Sequence, residues 1–389
     1  MKKNITAFFA LLLVVSTLIM SLTGCYGTAT RTTEVNEGDV YNVQIDNPPT
    51  STVAAAAKSL MSAVSVIAAH KKSATYSRGS GVIYSMSENR EDAFIVTNFH
   101  VIYDASAGVS ENIYTFLYGM ENDESAIKAE YVGGSMYYDI AVLKIKGSDV
   151  LRSSSAIPAS FADSNALQVL DTVIAIGNAS GNGLSATVGH INVDSEQITL
   201  LGADNKTQIT IRVMRTDAAV NPGNSGGGLF NTKGEVVGIV NAKSADDSVD
   251  NIGYAIPSNV AKSIVENIIY YCNGTTNTSV NKCELGITVE SINLTAEYNP
   301  ETGTIAKRED VRITKFTSGS PMAGKLKVGD IIRSITIGDT TYVINRRYEL
   351  VDSMLVAREG AVITVTAERD GQTVSATVTV TRNMIKEYP

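Results

Sequence analysis

The chain has 389 residues, with 32 Lys and Arg against 40 Asp and Glu, a formal charge of −8. Neither a basic stripe nor a Lys/Arg block occurs, which excludes nucleic acid as a partner. The length is sufficient for two independent cores.

The first residues read as an address. Lys2 and Lys3 precede an apolar run, Ile5 to Met20, too short and wrongly flanked for a membrane span. It closes on "LTGC", Leu22 to Cys25, which resembles the lipobox of bacterial lipoproteins. That resemblance implies a signal peptide over 1–24, cleavage before Cys25 and acylation of that cysteine. The alternatives are a plain secretory signal or an uncleaved anchor helix. Acyl chains on Cys25 would hold the protein on the extracytoplasmic face of a bacterial membrane without spanning it. Loss of the leader takes the charge from −8 to −10, because Lys2 and Lys3 go with it. No later segment is long and apolar enough to cross a bilayer.

Residues 25–60 read as a flexible tether, rich in Thr, Asn and Gly, with a short helix over Ala54 to Met61 leading into the fold. From about residue 61 the texture changes to short β-type runs between turn residues. The clearest are "SGVIYSM", "AFIVTNFHVI", "IAVLKI", "DTVIAIG", "SATVGHINV", "ITIRVM" and "GEVVGIVNAK". Strands at this spacing predict an all-β sandwich or barrel. Ser258 to Cys272 then reads as a helix capped by Ser258, with Val260, Ile264, Val265, Ile268 and Ile269 at helical spacing. A polar linker over 273–283 separates it from a second domain, 284–389. Strands "RITKF", "DIIRSITI", "VITVTAER" and "VSATVTV" are expected there, with a helical stretch near Arg347 to Ala357 and an Asp-Gly hairpin turn in "RDGQ". Cys272 and Cys283 could close a disulfide loop contributing on the order of 2–3 kcal/mol, or remain two buried thiols.

The chemistry centres on "NPGNSGGGLF", Asn221 to Phe230, which carries G-x-S-x-G around Ser225. A serine hydroxyl needs a base, and the base needs an orienting acid. The three histidines, His70, His100 and His190, all precede Ser225. An α/β-hydrolase requires its histidine after the serine, so that reading fails. The order His, Asp, Ser survives: His100 at the end of a predicted strand, Asp139 just before "IAVLKI", then Ser225. His70 lies in the polar run "AAHKKSAT" and reads as a solvent-exposed loop residue. His190 follows a strand turn and reads as peripheral, the alternative being a place near the substrate cleft.

"TNFHVI", "YDIAVLKI", "AIGNASGNGLSATVGHI", "TDAAVNPGNSGGGLF" and "GYAIPS" together resemble the HtrA/Deg serine proteases, in order from about Val64 to Ile268. The resemblance implies an all-β chymotrypsin-like double β-barrel protease domain over 61–272, followed by a small α+β PDZ domain. It implies His100 as general base, Asp139 as its orienting acid and Ser225 as nucleophile. Backbone N–H groups of Gly223 and Ser225, with Asn224 beside them, would form the oxyanion hole. Ala219, six residues before the nucleophile, would lie at the base of the substrate pocket, and Val240, Asn241 and Ala242 would supply a wall. An uncharged base suits small or medium apolar P1 residues. "CELGITVE" and the segments after it resemble a PDZ domain, implying that Leu285, Gly286 and Ile287 bind a peptide's C-terminal carboxylate while the peptide adds as a strand. Gly228 stands where the family usually has Pro, and "LQVLD" lacks the Gly common before its acidic residue. The activity implied is ATP-independent cleavage of misfolded or exported proteins by a surface-anchored trimer, needing no metal or cofactor. The alternatives are a non-proteolytic holdase or PDZ scaffold, and a site-specific regulatory protease.

Overall fold

A computed structural model describes residues 51–120, 122–242 and 252–389. The leader, Cys25 and most of the tether lie outside the described residues. Helix α1 (Thr52–Leu60) opens the described chain, its N-terminus capped by Ser51, whose hydroxyl accepts from Ala54 N–H at 3.1 Å.

Six antiparallel strands then close the first barrel: β1 (Ala63–His70), β2 (Thr75–Met86), β3 (Ala93–Thr97), β4 (Asn112–Leu117), β5 (Ile127–Ser135) and β6 (Ile140–Ile145). Their order around the barrel is β1-β2-β3-β6-β5-β4. The alternation of β1 sends Val64, Val66 and Ala68 inward, and His70 shares that face. His70 is therefore only 3% exposed, contrary to the loop reading, because β1 continues in register to a His70–Thr75 pair with β2.

The second barrel is built from β7 (Thr172–Gly177), β8 (Ser185–Leu201), β9 (Gln208–Thr216), β10 (Gly228–Asn231), β11 (Glu235–Asn241) and β12 (Gly253–Pro257). These run β10-β7-β8-β9-β12-β11, and pairing of β10 with β11 closes the ring. The two-residue strand Ser160–Phe161 adds in parallel to β11.

Helix α2 (Ser258–Cys272) matches the periodicity. It buries Val260, Ala261, Ile264, Val265 and Ile268 in one core with Val82 and Val142 of the first barrel and Ile174, Phe230 and Ile239 of the second. Each buried valine or isoleucine side chain here contributes about 1.5–3 kcal/mol, so this cluster fixes the barrels against each other. The cap differs from expectation. Pro257 occupies the N-cap, and Ser258 is the first helical residue, its hydroxyl donating to Ala162 O at 2.6 Å.

The C-terminal module has a second core. Its strands are β13 (Val280–Cys283), β14 (Ile287–Asn299), β15 (Thr304–Phe316), β16 (Ile331–Ile337), β17 (Thr340–Val343), β18 (Val362–Arg369), β19 (Gln372–Thr379) and β20 (Ile385–Tyr388). The main sheet runs β14-β15-β16-β18-β19, with β17 on β16, and β13 pairs with β20. Residues 280–283, read as linker, instead form a strand paired with β20, with Val280 in the core between the barrels and Cys283 in the C-terminal core. Helix α3 spans Arg347–Ser353, shorter than the stretch expected. Cys272 packs in the core between the barrels and Cys283 in the C-terminal core, and both thiols are free. Of the two readings left open, the structure shows the buried thiols, because the two cysteines pack in different cores.

Candidate active site

The run "AFIVTNFHVI" is not one strand. Strand β3 ends at Thr97, and Phe99–Ile102 forms a single helical turn carrying His100. Asp139 sits between β5 and β6 with φ +51°, a left-handed conformation that short polar side chains tolerate better than most. Asn98 supports it, its side-chain N–H donating to Asp139 O at 2.8 Å. The Asp139 carboxylate is 3% exposed and fully engaged. Oδ1 accepts from the His100 backbone N–H at 3.0 Å, and Oδ2 lies 2.7 Å from His100 Nδ1. A carboxylate accepts only, so Nδ1 carries the proton and Nε2 is left as the basic nitrogen. Oδ2 also accepts from Asn241 Nδ2 at 2.8 Å. Asn241, expected in a pocket wall, is a buried partner of the acid.

Ser225 lies in the turn before β10. Gly223 (φ +102°) and Gly226 (φ +84°) both require glycine. A Cβ on Gly223 would lie 2.2 Å from Asn178 O, and one on Gly226 would lie 2.2 Å from Ser80 O. The Ser225 hydroxyl oxygen accepts from Ala242 N–H at 3.2 Å, and among the described residues no hydrogen bond joins it to His100 Nε2. Such base–nucleophile bonds tighten when substrate is bound.

Backbone donors in the turn divide into two groups. Asn224 N–H donates to Asn221 O at 3.0 Å, so it is spent on the turn and is not an oxyanion donor. Gly223 and Ser225 N–H make no hydrogen bond among the described residues. The carbonyls of their own peptides are held elsewhere: Pro222 O accepts from Ser180 N–H at 3.0 Å, and Asn224 O from Gly227 N–H at 2.9 Å. A planar trans peptide points its N–H opposite to its carbonyl. Both free donors are thereby fixed.

The remaining pocket residues separate. Ala219 is exposed, its carbonyl accepting from Thr187 Oγ1 at 3.0 Å and Asn224 Nδ2 at 3.4 Å. Val240 instead buries its side chain in the core of the second barrel, while its backbone pairs with Gly226 and Gly227. His190 stands apart from the acid: its N–H donates to Asp217 Oδ1 at 2.6 Å and holds that carboxyl below the usual range. Gly228 is explained by Phe230, since a Cβ there would lie 2.3 Å from the ring.

In the C-terminal module a groove of about 300 Å³ is lined by Leu285, Gly286, Ile287, Val289, Leu350 and Met354, among others. Its floor strand, β14, ends the sheet and leaves one edge unpaired. Gly286 turns with φ +64° at the groove's end.

Two closed six-stranded barrels, with a buried Asp–His pair and a glycine-built serine turn, define a trypsin-like serine peptidase. Residues 79–239 match the family model "Trypsin-like peptidase domain". The chain is 36% identical over 261 residues to Serine protease Do-like HtrA of Bacillus subtilis (strain 168), covering 65% of this chain and 53% of that protein. It is 33% identical over 323 residues to Serine protease Do-like HtrA of Lactococcus lactis subsp. cremoris (strain MG1363), covering 79% and 71%. It thus spans little more than half the length of the Bacillus relative. A solved structure described as "HtrA-type protease AlgW with tripeptide" superposes with a TM-score of 0.56 at 26% identity, over 87% of this chain and 98% of that one. The chain belongs to the HtrA family of Do-like serine proteases.

Proposed function

We propose that the protein is an ATP-independent endopeptidase that cleaves unfolded or exported proteins by acyl-enzyme chemistry, with His100, Asp139 and Ser225 as its triad. The observation that carries this reading is the 2.7 Å contact of Asp139 Oδ2 with His100 Nδ1, beside a serine turn with two unspent N–H donors. His100 Nε2 takes the Ser225 proton as Oγ attacks the peptide carbonyl, and Asp139 stabilises the imidazolium. The Gly223 and Ser225 N–H groups meet the oxyanion that appears only in the tetrahedral intermediate. Losing one such donor costs about 3–4 kcal/mol in barrier. His100 then gives its proton to the leaving amine, and water hydrolyses the acyl-enzyme.

Ala219 carries no charge to meet a basic side chain, which suits small or medium apolar P1 residues. The groove beside β14 suits a C-terminal peptide added as a strand, with its carboxylate at Leu285–Gly286–Ile287 and apolar side chains against Leu350 and Met354. We assign the protein to the extracytoplasmic face of a bacterial membrane, lipid-anchored through Cys25 and trimeric. A 33% identical relative in Rhizobium meliloti (strain 1021) is named "Probable periplasmic serine endoprotease DegP-like", which supports the compartment.

Degradation of casein by the chain beginning at residue 26, with and without apolar C-terminal peptides, tests these assignments. Cleavage that disappears in Ser225→Ala and quickens with peptide is expected. Casein bound but never cut would replace the protease reading with a holdase or scaffold.

A further inference from the structure

The turn around Ser225 belongs to the second barrel, yet a residue of the first barrel fixes much of its backbone. Ser80, on β2, is fully buried and makes four hydrogen bonds. Its hydroxyl donates to Gly223 O at 2.8 Å and accepts from Asn178 N–H at 2.8 Å. Its N–H donates to Ser225 O at 2.8 Å, and its carbonyl accepts from Thr97 Oγ1 at 2.6 Å.

The hydroxyl acts at the weakest joint of the turn. The peptides carrying the Gly223 and Ser225 N–H groups are each held through their own carbonyls, by Ser180 and Gly227. Between them lies the Gly223–Asn224 peptide, which sets the angle of one donor to the other. Gly223 has no Cβ to resist rotation about its own bonds. Two contacts hold that peptide: Asn224 N–H on Asn221 O, within the same turn, and Gly223 O on Ser80 Oγ, from outside it. The same oxygen of Ser80 accepts from Asn178, the residue that follows β7, so one hydroxyl ties the turn to both barrels.

We propose that the Ser80 hydroxyl is a positioning residue for peptide hydrolysis, locking the Gly223–Asn224 peptide so that the Gly223 and Ser225 N–H groups converge on one oxyanion. Ser80 touches no substrate and acts only through those donors. Its loss therefore weakens transition-state binding while leaving substrate binding alone, a split that a purely structural role would not produce. The proposal rests on the reading of Ser225 as nucleophile.

The test uses the chain from residue 26 with a fluorogenic peptide of apolar P1, comparing wild type with Ser80→Ala, Ser80→Cys and Ser225→Ala. Each is assayed at least 15 °C below its own Tm, on the order of the margin that keeps a destabilised variant folded. Ser80→Ala is expected to lose about tenfold to hundredfold in kcat with KM within about twofold. The Ki of a peptidyl trifluoromethyl ketone, which forms a tetrahedral adduct, should rise by the same factor as kcat/KM falls. Ser80→Cys keeps the shape but offers a weak donor, and should show the same split at smaller size; it carries the test if Ser80→Ala fails to fold. Wild-type kcat in a folded Ser80 variant, beside an inactive Ser225→Ala, overturns the proposal alone. Parallel changes in KM and kcat with no change in the ketone's Ki also overturn it. Full activity in Ser225→Ala would instead overturn the nucleophile assignment and this proposal with it.

Discussion

Asn241 Nδ2 donates to Asp139 Oδ2 over 2.8 Å, the same oxygen that faces His100 Nδ1 at 2.7 Å. The acid of the proposed triad is therefore held by an amide from β11 of the second barrel as well as by the His100 imidazole. Asn241 is 1% exposed, so no water can replace that amide without rearrangement. A hydrogen bond to a buried charge is worth about 1.5–3 kcal/mol. Asn241→Ala is expected to lower kcat/KM by roughly 10- to 100-fold, read with a peptide substrate, while His100 and Ser225 stay in place. Activity within twofold of wild type would show that His100 alone suffices to hold the carboxylate.

A second contact joins the C-terminal module to the protease barrels. Arg212 on β9 donates through Nη1 to Asp352 Oδ2 on α3, through Nε to Ser195 Oγ at 3.0 Å and through Nη2 to Asn165 Oδ1 at 3.1 Å. Its guanidinium stands 3.5 Å over the Tyr348 ring. Burial pushes the Asp352 carboxyl up despite Arg212 beside it. Breaking such a pair leaves one charge stranded, at a cost of about 3–5 kcal/mol. Arg212→Met and Asp352→Leu singly are each expected to lower stability by that order in urea unfolding. The double variant should lose less than either single change, and a loss equal to their sum would show that the two residues are not coupled.

The proposed order His100, Asp139, Ser225 follows from the chain having only three histidines, all before the serine, and the structure brings His100 and Asp139 into contact. What escaped the sequence was which group faces which. Asn241 reads as pocket wall because "GIVNAK" is a strand, and nothing in a strand's composition says which face meets a neighbouring barrel. Asn224 reads as a donor until its N–H is seen closing a turn on Asn221. His70 reads as a loop residue because "HKKSAT" is polar, yet its even spacing from Val64, Val66 and Ala68 places it on the buried face. Ser80 carried one available signal: a small polar residue between Gly79 and Gly81, directly before the apolar run Val82–Ile83.

Leu170 holds φ +73°, the conformation that the glycine missing from "LQVLD" would adopt freely. Its N–H donates to Ile191 O at 2.8 Å, which pins the backbone there, while its side chain is 70% exposed and contributes little burial. A left-handed leucine costs about 1–2 kcal/mol, and glycine's extra unfolded-state entropy returns part of that. Leu170→Gly should stabilise the protein by about 0.5–1 kcal/mol, a rise of about 2 °C in Tm by calorimetry. A lower Tm would mean that Leu170 packs against something its exposure does not reveal.

Both remaining cysteines should behave as core residues. Burial pushes the Cys272 thiol up to about 11, with Glu387 adding to it, and the Cys283 thiol up to about 11, with Glu284 adding to it. The thiolate is the reactive form, so at pH 8 only about one molecule in a thousand would carry it at either site. The folded chain from residue 26 is expected to show no fast-reacting thiol with a disulfide reagent at pH 8, and two after unfolding in guanidinium. Because each thiol holds its proton more tightly folded than unfolded, the stability it contributes is full below the unfolded value near 9 and is lost as pH climbs toward 11. Cys272→Ser with Cys283→Ser should flatten that alkaline limb. Fewer than two thiols in the unfolded, unreduced protein would mean that the sulfurs are joined in solution and that the two cores can exchange partners.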